Sequence, residues 1–188
     1  MGSSRGSTVS AVTPDDPHDL KHLIREIADW PEPGVSFKDI TPLLADAQAF
    51  AVTVDRLADH FVGWGITAVV GIEARGFVIA SPVAHRLGAG FVPVRKPNKL
   101  PWATETETYE LEYGTDHLEI HRDAIEPGAR VLVVDDVIAT GGTAAATLRL
   151  VETLGGTVVG LGFIVELGFL GGAALLADRE YVSLITYR

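Results

Sequence analysis

An α/β fold with an open, mostly parallel sheet flanked by helices is what this sequence predicts, on three observations. The apolar runs ITAVVGI (66–72), RVLVVDDV (130–137) and TVVGLGFIVEL (157–167) are continuous rather than alternating, as strands buried on both faces are. Segments of helical periodicity separate them, which is the alternation of a sheet with crossover helices. A chain of 188 residues that is 47% hydrophobic suffices for one core without metal or disulfide staples.

Taken in order, residues 1–18 are small, polar and aperiodic, a disordered leader ahead of a single domain over 19–188. In DLKHLIREIADWP, Leu20, Leu23, Ile24 and Ile27 fall at helical spacing before Pro31, which predicts a short amphipathic helix. Residues 46–62 repeat that period through Phe50, Val54, Leu57, Ala58 and Phe61, with Asp46 placed to cap the helix. ITAVVGI is a strand ending at Glu73, and FVIASPVAHRLG (77–88) is a helix that a glycine closes. FVPV (91–94) is a strand. The polar stretch that follows is too long for an ordinary connection, and within it Tyr109, Leu111 and Tyr113 alternate with Glu110 and Glu112, as in an extended hairpin or flap. RVLVVDDV is a strand, TGGTAAATLRLVETLGG a helix, TVVGLGFIVEL a strand, GGAALLAD a short helix and YVSLITY the last strand.

Composition removes several function classes. A net charge of −10 opposes general nucleic-acid binding, which needs a basic face. No apolar stretch approaches the roughly 20 residues of a membrane-spanning helix. The absence of cysteine excludes disulfides and thiolate metal sites and fits a reducing compartment, so cytoplasmic location is the expectation.

VLVVDDVIATGGT, residues 131–143, carries the chemistry. Ligands of an open parallel sheet sit beyond the carboxyl ends of strands, and this strand ends in Asp135 and Asp136. The turn Ala139, Thr140, Gly141, Gly142, Thr143 then opens a helix whose free N–H groups and dipole favour an anion. It lacks the Lys of a Walker loop, and no G-x-G-x-x-G follows any predicted strand. Carboxylates accept hydrogen bonds from vicinal hydroxyls, so a ribose bearing a 5′-phosphate satisfies both halves.

VVDDVIATGGT resembles the phosphoribosyl pyrophosphate (PRPP) motif of the type I phosphoribosyltransferase family. PEPGVSFKDITPLL (31–44), GIEARGF (71–77), VRKPNKLP (94–101) and YELEYG (109–114) follow the order and spacing of its adenine-specific members. The resemblance runs from about residue 30 to 167. It implies the type I fold with a base-binding hood over 19–45 and a flexible catalytic loop and hairpin over 97–125. The implied reaction moves the 5-phosphoribosyl group of PRPP to N9 of adenine, giving AMP and pyrophosphate, with Mg2+ held by substrate and water near Asp135 and Asp136 rather than by direct protein ligands.

Site residues follow from the same resemblance. Glu73, Ala74 and Arg75 form the pyrophosphate turn, with a cis peptide at Glu73–Ala74. Arg95, Lys96 and Lys99 extend the positive pocket, three basic residues in five positions. Ser36 and Lys38 read adenine through backbone groups, Phe37 stacks on it and Ile138 supplies an apolar side; Leu167 is a weaker candidate wall. Backbone groups can match the N1 and N6 pattern of adenine and reject a 6-oxo purine. Glu112 is the implied catalytic residue, acting on the proton at adenine N7. Glu110 shares its face, so alternation alone does not choose between them. A homodimer is implied as well, in keeping with the apolar run Phe77, Val78, Ile79.

His117 and His121 lie four apart but in strand-like sequence, which argues against a metal pair. Trp30, Trp64 and Trp102 read as packing or rim residues, and the pairs Gly155–Gly156 and Gly171–Gly172 as helix ends. Two rival functions remain: transfer to another base, against which SFKDITP argues, and a PRPP-sensing regulator without catalysis, which would bring a DNA-binding domain.

Overall fold

The computed structural model describes residues 19–110, 115–176 and 179–188. Its centre is a five-stranded sheet in the order β4-β3-β7-β8-β9. The strands are β3 (Ala68–Ile72), β4 (Gly90–Val94), β7 (Arg130–Ile138), β8 (Thr157–Leu167) and β9 (Tyr181–Tyr187), and all four pairings are parallel. Both faces are covered, which explains the continuous apolar runs. Along β7, Val131 and Val133 pack into one core with Ala144 and Leu148 of α4 (Gly142–Thr153), while Leu132 and Val134 pack into the other with Leu57 of α2 (Ala47–His60) and Ile79 of α3 (Arg75–Leu87).

Local chemistry sets the helix ends. The Asp46 carboxylate accepts from Ala49 N at 2.8 Å, so it caps α2 as its position predicts. α3 stops at Gly88, whose φ of 67° lies in the left-handed region.

The N-terminal segment departs from the predicted helix. A short 3-10 turn, Leu20–Leu23, capped by Asp19, gives way to strand β1 (Arg25–Ala28). β1 pairs antiparallel with β2 (Ser36–Asp39), Ile27 standing opposite Phe37. Leu20 and Ile24 are buried as amphipathicity demands, but β2 supplies β1 with the backbone partners a helix would have supplied internally. Asp29 at φ 55° and a cis Trp30–Pro31 bond lie between the two strands, and α1 (Thr41–Ala45) follows β2.

β5 (Thr104–Glu110) and β6 (Thr115–His121) form the expected antiparallel hairpin. Leu118 and Ile120 pack into the α4-side core, and the Glu107 carboxylate is ion-paired to Arg149 of α4. The leader, residues 1–18, and the Leu111–Glu112–Tyr113 stretch lie outside the described residues. The predicted helix at GGAALLAD is a 3-10 segment, Gly172–Leu176.

Strand order reverses between β3 and β7: β4 lies to one side of β3, and the chain then crosses back to place β7 on the other. A crevice opens at the carboxyl ends of such a pair.

Candidate active site

A cleft of about 500 Å3 occupies that switch point. Its walls come from the hood (Val35, Ser36, Phe37, Lys38), the turn after β3 (Glu73, Ala74, Arg75), the end of β7 (Asp135, Asp136, Val137), the cradle (Ala139, Thr143), Leu167 of β8 and the hairpin residues Tyr109 and Leu118. Lys96 lines it too.

The cradle is backbone. Gly141, at φ 81°, is the N-cap of α4 and no side chain caps the helix, so the first-turn N–H groups are left for an anion. The chain around Gly172 presses on it from behind. A Cβ on Gly172 would stand 2.2 Å from Ala139 O and 2.7 Å from Gly141 N, and one on Gly141 would stand 2.3 Å from Gly172 O. Gly172 opens a 3-10 helix, as the sequence suggests, and in addition sets the position of the cradle.

Beside the cradle, Asp136 is buried, with Oδ2 2.8 Å from Arg75 Nε. Asp135 is half-buried and its Oδ1 accepts from Asp136 N at 2.9 Å. Gly76 makes room for it, since a Cβ there would lie 2.6 Å from that oxygen. Burial holds the Asp135 carboxyl well above the usual carboxylate range, and the charge of Asp136 pushes it further. Asp136 is raised as well, by burial, with Arg75 opposing. Groups that supply hydrogen-bond donors or positive charge would relieve this pair.

The Glu73–Ala74 peptide after β3 is cis, as resemblance implies. Glu73 Oε2 accepts from Arg95 Nε at 2.6 Å, and Arg95 Nη1 donates to Lys99 O at 3.1 Å. Lys96 is ion-paired to Asp116 and lies 3.4 Å from Tyr109 Oη. Arg75, Arg95 and Lys96 thus each have a carboxylate partner. That is how an acidic chain keeps cations beside its cleft. The Lys99 side chain is exposed.

On the hood, Phe37 faces the cleft with its ring 5.1 Å from the Arg75 guanidinium and edge-on to Trp30 at 4.4 Å. The Lys38 ammonium is turned to other work. It is 2.6 Å from Glu26 and 3.2 Å from Ser36 Oγ, and it sits over the Tyr187 ring at 4.4 Å, tying the hood to β9. Ile138, expected on the apolar side of the base, packs into the core at 2% exposure, and its neighbour Val137 lines the cleft, as does Leu167. Glu112 lies outside the described residues, and the register pairs the neighbouring Glu110 with Thr115. His117 Nδ1 is 2.9 Å from Thr108 Oγ1, and among the described residues no cluster of three or more potential metal ligands forms.

Comparison with known proteins places this geometry. Residues 36–183 match the phosphoribosyl transferase domain family. The adenine phosphoribosyltransferase of Acidobacterium capsulatum is 56% identical over 168 residues, 89% of this chain and 93% of that protein. The crystal structure of adenine phosphoribosyltransferase from Thermoanaerobacter pseudethanolicus superposes with a TM-score of 0.87 at 52% identity, covering 89% of this chain and 98% of the other. The Saccharomyces cerevisiae enzyme, complexed with adenine and an imino-altritol bisphosphate, superposes at 0.83 with 40% identity over 88% of this chain and 96% of its own.

Proposed function

This chain belongs to the adenine phosphoribosyltransferases, within the phosphoribosyl transferase domain family, and from that membership we propose how its cleft works. The reaction is displacement of pyrophosphate from C1′ of PRPP by N9 of adenine, leaving AMP. One juxtaposition carries the reading. A backbone anion cradle and the Asp135–Asp136 pair line the same cleft, of about 500 Å3, as Phe37 and the Ser36–Lys38 segment.

In this arrangement the 5′-phosphate sits in Ala139–Thr143 and the ribose hydroxyls donate to Asp135 and Asp136. Pyrophosphate lies against the Glu73–Arg75 turn with Arg95, Lys96 and Lys99, and adenine lies on Phe37 with Val137 and Leu167 at its apolar edge. Holding both reactants in line and stabilising the departing charge supply most of the rate, and Glu112 handles the proton at N7. The adjacent carboxylates of Asp135 and Asp136 fit Mg2+ reached through substrate oxygens and water, which when bound would neutralise pyrophosphate charge. Cytoplasmic location is part of the proposal, supported by the cysteine-free composition. So is a homodimer. Val78 and Phe91 are exposed, and Phe91 makes an edge contact with Phe77 at 5.8 Å, an apolar patch suited to a second copy. Sedimentation at micromolar concentration should give twice the chain mass; a monomer refutes the pairing.

The deciding assay follows pyrophosphate release from PRPP with adenine, hypoxanthine and guanine, in the parent and in Glu112→Gln. Adenine alone should support turnover, and the variant should lose about 10² to 10⁴-fold, the usual scale of acid–base assistance. Equal use of hypoxanthine contradicts the base assignment. Parent-like turnover of Glu112→Gln contradicts the catalytic one.

A further inference from the structure

Beside the cleft, three distant segments meet at one point. Tyr109 of β5 and Asp116 of β6 stand directly opposite in the hairpin register, and Tyr109 Oη donates to Asp116 Oδ2 at 3.1 Å. Lys96, just after β4, reaches both of them. Thr143 of the cradle donates from Oγ1 to the same phenol oxygen at 3.5 Å. Asp116 is itself aimed by the His117 N–H, which donates to its Oδ1 at 2.8 Å. Lys96, Tyr109 and Thr143 line the cleft, with Asp116 behind them.

We propose that Asp116 is a positioning residue that holds and neutralises the Lys96 ammonium, so that pyrophosphate must compete with this carboxylate for its cation and is bound less tightly than the cleft would otherwise bind it. The inference rests on the assignment of Lys96 to pyrophosphate made above. Burial alone would lower the Lys96 pKa, but the bonds to Asp116 and Tyr109 more than offset it and raise it. Burial likewise opposes ionisation of Asp116 and is the largest single influence, but the bonds from Lys96, the His117 N–H and Tyr109, with the Lys96 charge, together outweigh it, so the carboxyl lies below its ordinary value. Both members are therefore charged at neutral pH, as a neutralising pair must be. A carboxylate beside an anion-binding lysine makes physical sense where the anion is a product that has to leave.

Asp116→Asn keeps an acceptor for Tyr109 and Lys96 and removes the charge. Pyrophosphate affinity, measured by calorimetry with Mg2+ present, should tighten about two- to fivefold, the range of a partly exposed charge pair. The gain should shrink in about 0.5 M salt, and Asp116→Glu should return parent affinity. Lys96→Gln alone should weaken pyrophosphate binding; if it does not, the assignment of Lys96 fails rather than the neutralisation. If Lys96→Gln weakens binding while Asp116→Asn leaves it unchanged or weaker, the neutralisation is wrong. Combining the two substitutions separates action through Lys96 from direct repulsion, because the tightening should largely vanish without the ammonium. Undiminished tightening in the double variant overturns the proposal. Asp116→Ser carries the same expectation should the Asn variant melt early.

Discussion

After β7 the cleft offers an anion backbone N–H groups and hydroxyls; after β3 and β4 it offers guanidinium and ammonium groups already held by carboxylates. The first wall is neutral. It is fixed by the close contact of Gly141 with Gly172, and its tolerance is steric. The second is built from the pairs Arg75–Asp136, Arg95–Glu73 and Lys96–Asp116, and it answers to charge. The difference matches the two phosphate-bearing groups of the proposed substrate, the 5′-phosphate and the pyrophosphate. One stays on the ribose throughout and suits a rigid seat, whereas the other departs and suits cations that can return to their own acids.

Gly172→Ala tests the rigid wall and should have the largest effect. Its Cβ would stand 2.2 Å from Ala139 O, a backbone atom that must move. Displacing a positioning group by about 1 Å can cost 10²-fold, and the KM for PRPP should rise on that scale with the fold intact by circular dichroism. Gly171→Ala is the control. It carries left-handed strain at φ 68° but meets nothing within 4 Å, so stability should fall while KM stays near the parent value. A parent-like KM for Gly172→Ala would show that the cradle is not seated by its neighbour.

The two walls also differed in how readily the sequence disclosed them. Strand, acid pair, glycine turn and helix are contiguous in residues 130–153, so local chemistry alone located the cradle. Gly172 is far from Gly141 in sequence, and nothing around GGAALLAD marks it as more than a helix start. Asp116 and Tyr109 gained their meaning only when the hairpin register set them opposite each other and beside Lys96. Basic residues could be read from VRKPNK, but their acidic partners at positions 73 and 116 could not. The misread segment at Arg25–Ala28 shows the same limit. Leu20, Leu23, Ile24 and Ile27 satisfy a helical period, yet pairing with Ser36–Asp39 decides the conformation, and that partner is visible only in three dimensions. At Ile138 the residue type was suitable, but the strict alternation of β7 does not continue to its end: Ile138 joins the core that holds Val131 and Val133, and Val137 lines the cleft.

The acids of the charged wall carry a cost that stability measurements can detect, with a smaller effect than the glycine substitution. Folding raises the carboxyl pKa of Asp135 and of Asp136, by burial in both cases and by the neighbouring charge in the first. Above about pH 4, the ordinary value for an unfolded aspartate, the folded protein then binds more protons than the unfolded chain. Stability accordingly falls as pH rises from there toward the folded pKa values, and the penalty is present in full only above them. Asp135→Asn removes one charge and leaves the Arg75–Asp136 pair in place. The ligand-free variant should melt about 2–4 °C above the parent at pH 7, which is what 1 kcal/mol shifts in a chain of this size. The gap should close as pH falls below about 4, where the parent acids are protonated in both states. PRPP affinity should move the other way, since an amide is a poorer acceptor for ribose hydroxyls than a carboxylate. A melting temperature at pH 7 equal to or below the parent's would mean that the acid pair is held without cost, and the contrast between a neutral wall and a charged, costly one would no longer stand.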